Sequence, residues 1–140
     1  MSKYLGVDFG LKRIGLSITD QEKIFAFPLT TIEFDNAFNF FKDLFLKEKV
    51  SKVIIGYPKR LSGVDSDIES SIKIFITKFK KQFPAIEIKR FDERFTSKLA
   101  SKAIVSSGLG KKKRSDKSLI DKVSAAIILQ DYLTYNKSNL

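Results

Sequence analysis

Tyr4-Leu5-Gly6-Val7-Asp8-Phe9-Gly10-Leu11-Lys12-Arg13-Ile14-Gly15-Leu16-Ser17-Ile18-Thr19 decides the fold. Two short, mostly apolar runs, Tyr4 to Phe9 and Ile14 to Thr19, are separated by a glycine and two cations, which is the pattern of a β-hairpin. Leu5, Val7 and Phe9 share one face of the first strand. Asp8 lies on the other face with Gly6, and the small neighbour leaves space beside its carboxylate. An acid at a strand end also serves simply to bond the following turn, so Asp8 alone does not define a site.

Working outward, Ile24 to Ile32 forms a third strand. Pro28 cannot donate to a ladder, which predicts an edge position or a bulge. Asp35 is a candidate N-cap for a helix through about Lys49, with Phe38, Phe41, Leu44 and Phe45 at helical spacing. Val53-Ile54-Ile55, apolar on both faces and ending at Gly56-Tyr57-Pro58, reads as a central parallel strand. Residues 57–66 form a polar loop, with Asp65 or Ser66 capping the next helix. That helix carries Ile68, Ile72, Phe75, Ile76, Phe79 and Phe83 on one face and stops at Pro84. Ile86 to Phe91 alternates as a strand and ends at Asp92-Glu93-Arg94. A helix from Thr96 or Ser97 to about Ser107, a Gly- and Lys-rich loop at 106–117 and a last helix from about Ser118 to Tyr135 complete the chain. A meander followed by helix-crossover strands predicts an α/β fold, a mixed sheet with helices on both faces, whose parallel strands end at one ligand-binding edge. With 140 residues the expectation is a single domain over 1–136 with a polar tail at 137–140.

Cys and His are both absent. Thiolate and imidazole catalysis and Cys/His zinc sites are thereby excluded, and any chemistry falls to Asp, Glu, Lys or Tyr. The net charge is +10, and residues 1–70 hold ten basic and ten acidic side chains, so the entire excess lies in residues 71–140. A one-sided positive field favours a polyanion, nucleic acid or an anionic membrane surface, although 21 of the 26 basic residues are Lys and a generally Lys-rich composition yields the same count. The N-terminus lacks the apolar core of a signal peptide and no apolar run reaches membrane-spanning length, so a cytoplasmic protein with no membrane partner is expected.

Asp121 is a second acid in an unusual place, sharing a helical stripe with Ala125, Ile128 and Tyr132. It also fits a first-turn acid that complements the helix dipole. Ala125-Ala126 signals close approach of this helix to the sheet, which aims Asp121 at the strand edge bearing Asp8. Glu93 is the third candidate; it and Asp92 cannot both face the site from a regular strand. Clustered carboxylates repel unless neutralised, and Mg²⁺ or Mn²⁺ prefers oxygen ligands. Two such ions can clamp the attacking and leaving oxygens of a phosphodiester, so this composition points to metal-assisted hydrolysis of nucleic acid.

The same residues carry a resemblance. Gly6 to Gly15, Ile55-Gly56-Tyr57-Pro58 with Gly63, Asp92-Glu93-Arg94-Phe95-Thr96-Ser97, and Asp121 to Gln130 are similar, in order and spacing, to four motifs of the YqgF/RuvX group. That group comprises RNase H-like proteins described as pre-16S rRNA nucleases and as Holliday-junction-resolvase-like. Ser17 departs from the group, where Ala is frequent, and Ser97 stands where Thr is. The resemblance implies an RNase H-like fold with a mixed five-stranded sheet and a divalent-metal site, Mg²⁺ or Mn²⁺, carried by Asp8, Glu93 and Asp121. It also implies a role in maturing the 5′ end of 16S rRNA. Lys12, Arg13 and Arg94 are the candidates for phosphate contacts, and Lys111, Lys112, Lys113 and Arg114 for tracking a backbone. Pre-16S rRNA and branched DNA both remain open as partner, as does monomer or homodimer. A non-catalytic rRNA-binding factor and an actin/hexokinase-type ATPase are the competing functions; the second needs two such domains, and this chain has material for one.

Overall fold

The computed structural model describes residues 2–10, 12–57, 64–92 and 117–138, without the side chains of 64–67, 117–120 and 138. The strands are β1 (Lys3–Phe9), β2 (Arg13–Thr19), β3 (Ala26–Glu33), β4 (Val50–Gly56) and β5 (Glu87–Phe91); the helices are α1 (Ala37–Lys47), α2 (Val64–Gln82) and α3 (Lys117–Ser138). The strands form one sheet in the order β3-β2-β1-β4-β5. β1 pairs antiparallel with β2 and parallel with β4, and β4 pairs parallel with β5, as the mixed-sheet reading requires. The expected helix at 96–107 and residues 106–116 of the expected loop lie outside the described residues, and Lys117 already belongs to α3. No described helix is long and apolar enough to cross a membrane.

The hairpin closes where the Gly10 amide donates to the Arg13 carbonyl at 2.8 Å. β3 occupies the edge that Pro28 demands, and a bulge accompanies it. Leu16 pairs with Thr30 and Ser17 with Pro28, so Leu29 is the extra residue. Between β2 and β3 the Asp20 carboxylate accepts from the amides of Ile24 and Phe25 at 2.8 and 3.1 Å. Slight desolvation pushes this carboxyl up, but the backbone amides outweigh it and hold the pKa below its ordinary value.

Two layers cover the sheet. On one side Leu5, Val7, Phe9, Ile14, Leu16, Val53 and Ile55 pack against Phe41 of α1 and Ile72, Phe75 and Phe79 of α2. The phenylalanines touch in succession: Phe41 stacks on Phe45 with centroids 5.7 Å apart and meets Phe79 edge-on at 5.6 Å. On the other side α3 lies across β2, β3 and β1, and only lightly on β4. There Ile54, Phe91, Ile128, Leu129 and Tyr132 form a smaller core. Lys52 donates to the Tyr132 hydroxyl at 3.1 Å beside this core. Burial pushes the Lys52 ammonium down, but Tyr132, Tyr4 and Glu87 outweigh it and its pKa is raised.

Four boundaries differ from expectation. α2 begins at Val64, so residues 64–66 of the expected loop are helical, and Asp65 and Ser66 lie inside the helix and not at its cap. Asp35 does not cap α1; it sits in a 3₁₀ turn, Phe34–Asn36, and Asn36 precedes the helix without a side-chain cap bond. The turn arises because the Phe34 amide donates to the Lys12 carbonyl at 3.0 Å, tying the exit of β3 to the hairpin before the helix begins. α1 ends at Lys47, because the Glu48 amide closes the last turn on Leu44 and its own backbone is already extended. α3 continues to Ser138, so residues 137–138 of the expected tail are helical, with Lys137 in the last turn where a cation complements the helix dipole.

Candidate functional site

Asp8 is next to last in β1, half-buried, on the α3 face of the sheet. Its partner on β2 is Gly15. A Cβ on Gly15 would collide with the Asp121 carbonyl oxygen and crowd the Lys122 amide. The backbone of α3 at Asp121 therefore rests directly on the residue opposite Asp8, an approach only glycine permits. Further back along β1 the approach repeats: a Cβ on Gly6 would meet Leu129 Cβ and the Ala125 carbonyl at 2.8 and 2.9 Å. There the Ser17 hydroxyl, fully buried, donates to the Ala125 carbonyl at 2.7 Å. The helix is thus pinned antiparallel to β1, and Asp8 and Asp121 are brought to one level of one face.

Arg13, the first residue of β2, reaches Asp121 with Nε 3.5 Å from Oδ2. Beside this pair opens a cavity of about 970 Å³, lined among the described residues by Gly10, Lys12, Arg13, Glu33, Phe34, Asp35 and Asp121. Lys12, Arg13 and Asp121, each singled out by the sequence on separate grounds, share it. Asp8 is not among the described lining residues. Glu33 and Asp35 join the lining without having been candidates. Glu33 pairs with Arg13 across β2 and β3, a register set by the bulge, and no local sequence signal announces it.

Asp92 is half-buried directly after β5. Glu93, Arg94, Lys111, Lys112, Lys113 and Arg114 lie outside the described residues. Among the described residues no group of three or more His, Cys, Asp or Glu side chains gathers to hold a metal. The donor set that is described, two hard carboxylates on one sheet face with a cation 3.5 Å from one of them, fits an oxygen-coordinated divalent ion whose remaining ligands come from elsewhere.

A family model described as RuvX, Holliday junction resolvase, matches residues 2–135. The chain belongs to the RuvX family. It is 50% identical over 134 residues to a protein of Flavobacterium psychrophilum named "Putative pre-16S rRNA nuclease", covering 96% of this chain and 98% of that one. It is 42% identical over 133 residues to one of Porphyromonas gingivalis with the same name, covering 95% and 96%. Among solved structures it is similar to Thermus thermophilus RuvC in complex with a Holliday junction substrate. The TM-score is 0.57 at 12% identity, over 96% of each chain. At that identity the likeness speaks for the fold, which is the RNase H-like fold of the resolvases. RuvX membership makes the chain a hydrolytic nuclease.

Proposed function

We propose that this chain is a divalent-metal-dependent endonuclease that matures the 5′ end of 16S rRNA precursors in the cytoplasm, with Asp8, Glu93 and Asp121 as metal-holding residues. The observation that carries the reading is the seat of α3 on Gly15. It supports a carboxylate site assembled from residues more than a hundred positions apart, beside a basic hairpin. The relatives' name supports the substrate. Asp8, Glu93 and Asp121 would hold Mg²⁺ or Mn²⁺, one ion or two, which would supply charge neutralisation, polarisation of a phosphoryl oxygen and an activated water for a phosphodiester. The chain supplies the rest. Asp8 and Asp121 offer fixed anionic oxygens; Arg13 balances Asp121 in the absence of substrate and, with Lys12, faces the cavity a phosphate enters. Arg94 and the Lys111–Arg114 run are the further candidates for phosphate contact by their charge.

The deciding assay incubates the protein with precursor rRNA, four-way junction DNA and single strands, each with Mg²⁺, Mn²⁺ or EDTA. Metal-dependent cutting of the precursor at one position is the expected outcome. Cutting of the junction alone establishes the second reading, a resolvase, which the family description and the RuvC-like fold favour. Binding without cutting under any metal leaves an rRNA-binding assembly factor. Glu93→Gln should be inactive and Asp92→Asn active; the reverse moves the ligand to Asp92. Replacing Lys111, Lys112, Lys113 and Arg114 with Ser should flatten the salt dependence of log K by roughly 0.7–0.9 for each phosphate that is no longer neutralised.

A further inference from the structure

Tyr57 directly follows β4, between Gly56 and Pro58 in sequence, and the proposed cleavage chemistry gives it no role. It is held unusually well for an exposed aromatic. Its amide donates to the Phe91 carbonyl at 3.0 Å, which carries the β4–β5 ladder one step past Gly56. The Arg90 guanidinium lies 4.1 Å from its ring centroid. Arg90 is itself clamped by Glu69 of α2 through Nη2 to Oε1 at 2.7 Å and Nη1 to Oε2 at 3.4 Å. The side chains of this ion pair are only 17% and 25% exposed. Arg90 Nε is buried with no hydrogen-bond partner among the described residues, so the guanidinium is oriented toward the ring and the carboxylate at the expense of a third bond.

Tyr57 nevertheless remains 42% exposed. With one ring face covered by Arg90, the exposure belongs to the opposite face and the rim. The position is informative as well. β1 and β4 pair through Val7 and Ile55, so one step further Asp8 is level with Gly56 and Tyr57 follows at the strand end. Gly56 faces Ile128 of α3, so strand alternation puts Tyr57 on the α2 side, where Arg90 and Glu69 already are. A rigid aromatic plane thus stands at the catalytic edge, one residue past the level of Asp8 and across the strand end from it.

We infer that Tyr57, held by Arg90 and Glu69, is a stacking platform for an unpaired nucleobase flanking the phosphate at Asp8. This rests on the nuclease reading for its orientation relative to the cut. Arg90 is a positioning residue. Its charge is matched by Glu69, so it serves the ring rather than a phosphate, and a guanidinium fixed bidentately loses little further freedom when a base arrives. Base–aromatic stacking tolerates any base, so the subsite selects single-stranded character next to the cleavage position and not a sequence.

The test uses single-stranded RNA carrying 2-aminopurine, titrated in EDTA so that binding is read without cleavage, with wild type, Tyr57→Ala and Tyr57→Phe. Wild type and Tyr57→Phe should quench the fluorophore at one position along the strand, and Tyr57→Ala should not. Tyr57→Ala should also bind on the order of ten-fold more weakly. An abasic residue at the quenched position should weaken wild type by a similar factor and leave Tyr57→Ala unaffected. Unchanged quenching in Tyr57→Ala, or equal weakening of base-bearing and abasic RNA by that variant, overturns the platform. Quenching that depends on Tyr57 in a protein that cuts nothing with Mg²⁺ or Mn²⁺ refutes the nuclease reading while the stacking subsite stands.

Discussion

The two faces of the sheet are built on opposite principles. Toward α1 and α2 the contact is bulk: Phe9, Phe41, Phe75 and Phe79 fill the space between layers with rings meeting at 4.9–5.9 Å. Toward α3 the contact is closeness. Gly6 and Gly15 leave no room for a Cβ against the helix backbone, Gly56 lies against the Ile128 side chain, Ala125 and Ala126 are buried, and a Ser17 hydroxyl reaches the helix backbone. At Gly6 and Gly15 the helix backbone itself meets the sheet, so no side chain stands between the two to change rotamer and the contact sets the height of α3 directly. The candidate carboxylates lie on the second face. Stability is concentrated on one side of the sheet and positional accuracy on the other.

Asp8→Asn tests the accurate face most severely. It keeps the shape and removes the anionic charge that a divalent ion requires, so metal-dependent cleavage should fall to the level of an EDTA control while nucleic-acid binding survives. Full activity in a gel assay would detach the carboxylate from the chemistry. Phe41→Ala is the counterpart on the bulky face. Urea unfolding should show a loss of about 3–5 kcal/mol, with the rate per folded molecule preserved. If that rate collapses too, the faces are not separable.

Gly15→Ala sharpens the contrast. Its single methyl meets the Asp121 carbonyl, and the cost in stability should be only about 1–3 kcal/mol. Cleavage and calorimetric Mn²⁺ affinity should nonetheless drop far more than in Phe41→Ala, because Asp121 is displaced. A Gly15→Ala protein that is less stable yet cuts normally would show that the seat of α3 on Gly15 does not govern activity. Ser17→Ala carries the smallest effect, about 1 kcal/mol from one lost hydrogen bond, with cleavage within a factor of two or so of wild type. A larger activity loss would give the hydroxyl a part in setting α3.

Features governed by local or periodic physics were legible in the sequence. The apolar stripe of α2, the alternation in β1 that separates Asp8 from Leu5, Val7 and Phe9, and the edge position of Pro28 each follow from a few neighbouring residues. Asp35 misled because its capping propensity is local, while the bond that shapes its turn comes from Lys12, across the sheet. Gly15 was visible as part of a motif, but its reason is a helix backbone 106 positions later. The Arg90–Glu69 clamp was hidden for the same cause. Nothing in either residue's surroundings along the chain says that α2 and β5 bring them together.

The layout also imposes a timetable. β1 and β2 precede every other described element in the chain, and the helix that covers their second face follows them all. During synthesis the hairpin can join β3 and β4 and acquire its phenylalanine layer, but Gly6 and Gly15 stay uncovered until residues beyond 117 emerge. Such pairing between distant ends is the slow, late part of folding. A nascent chain therefore holds Asp8 before Asp121, and the proposed carboxylate pair cannot assemble until α3 has been made.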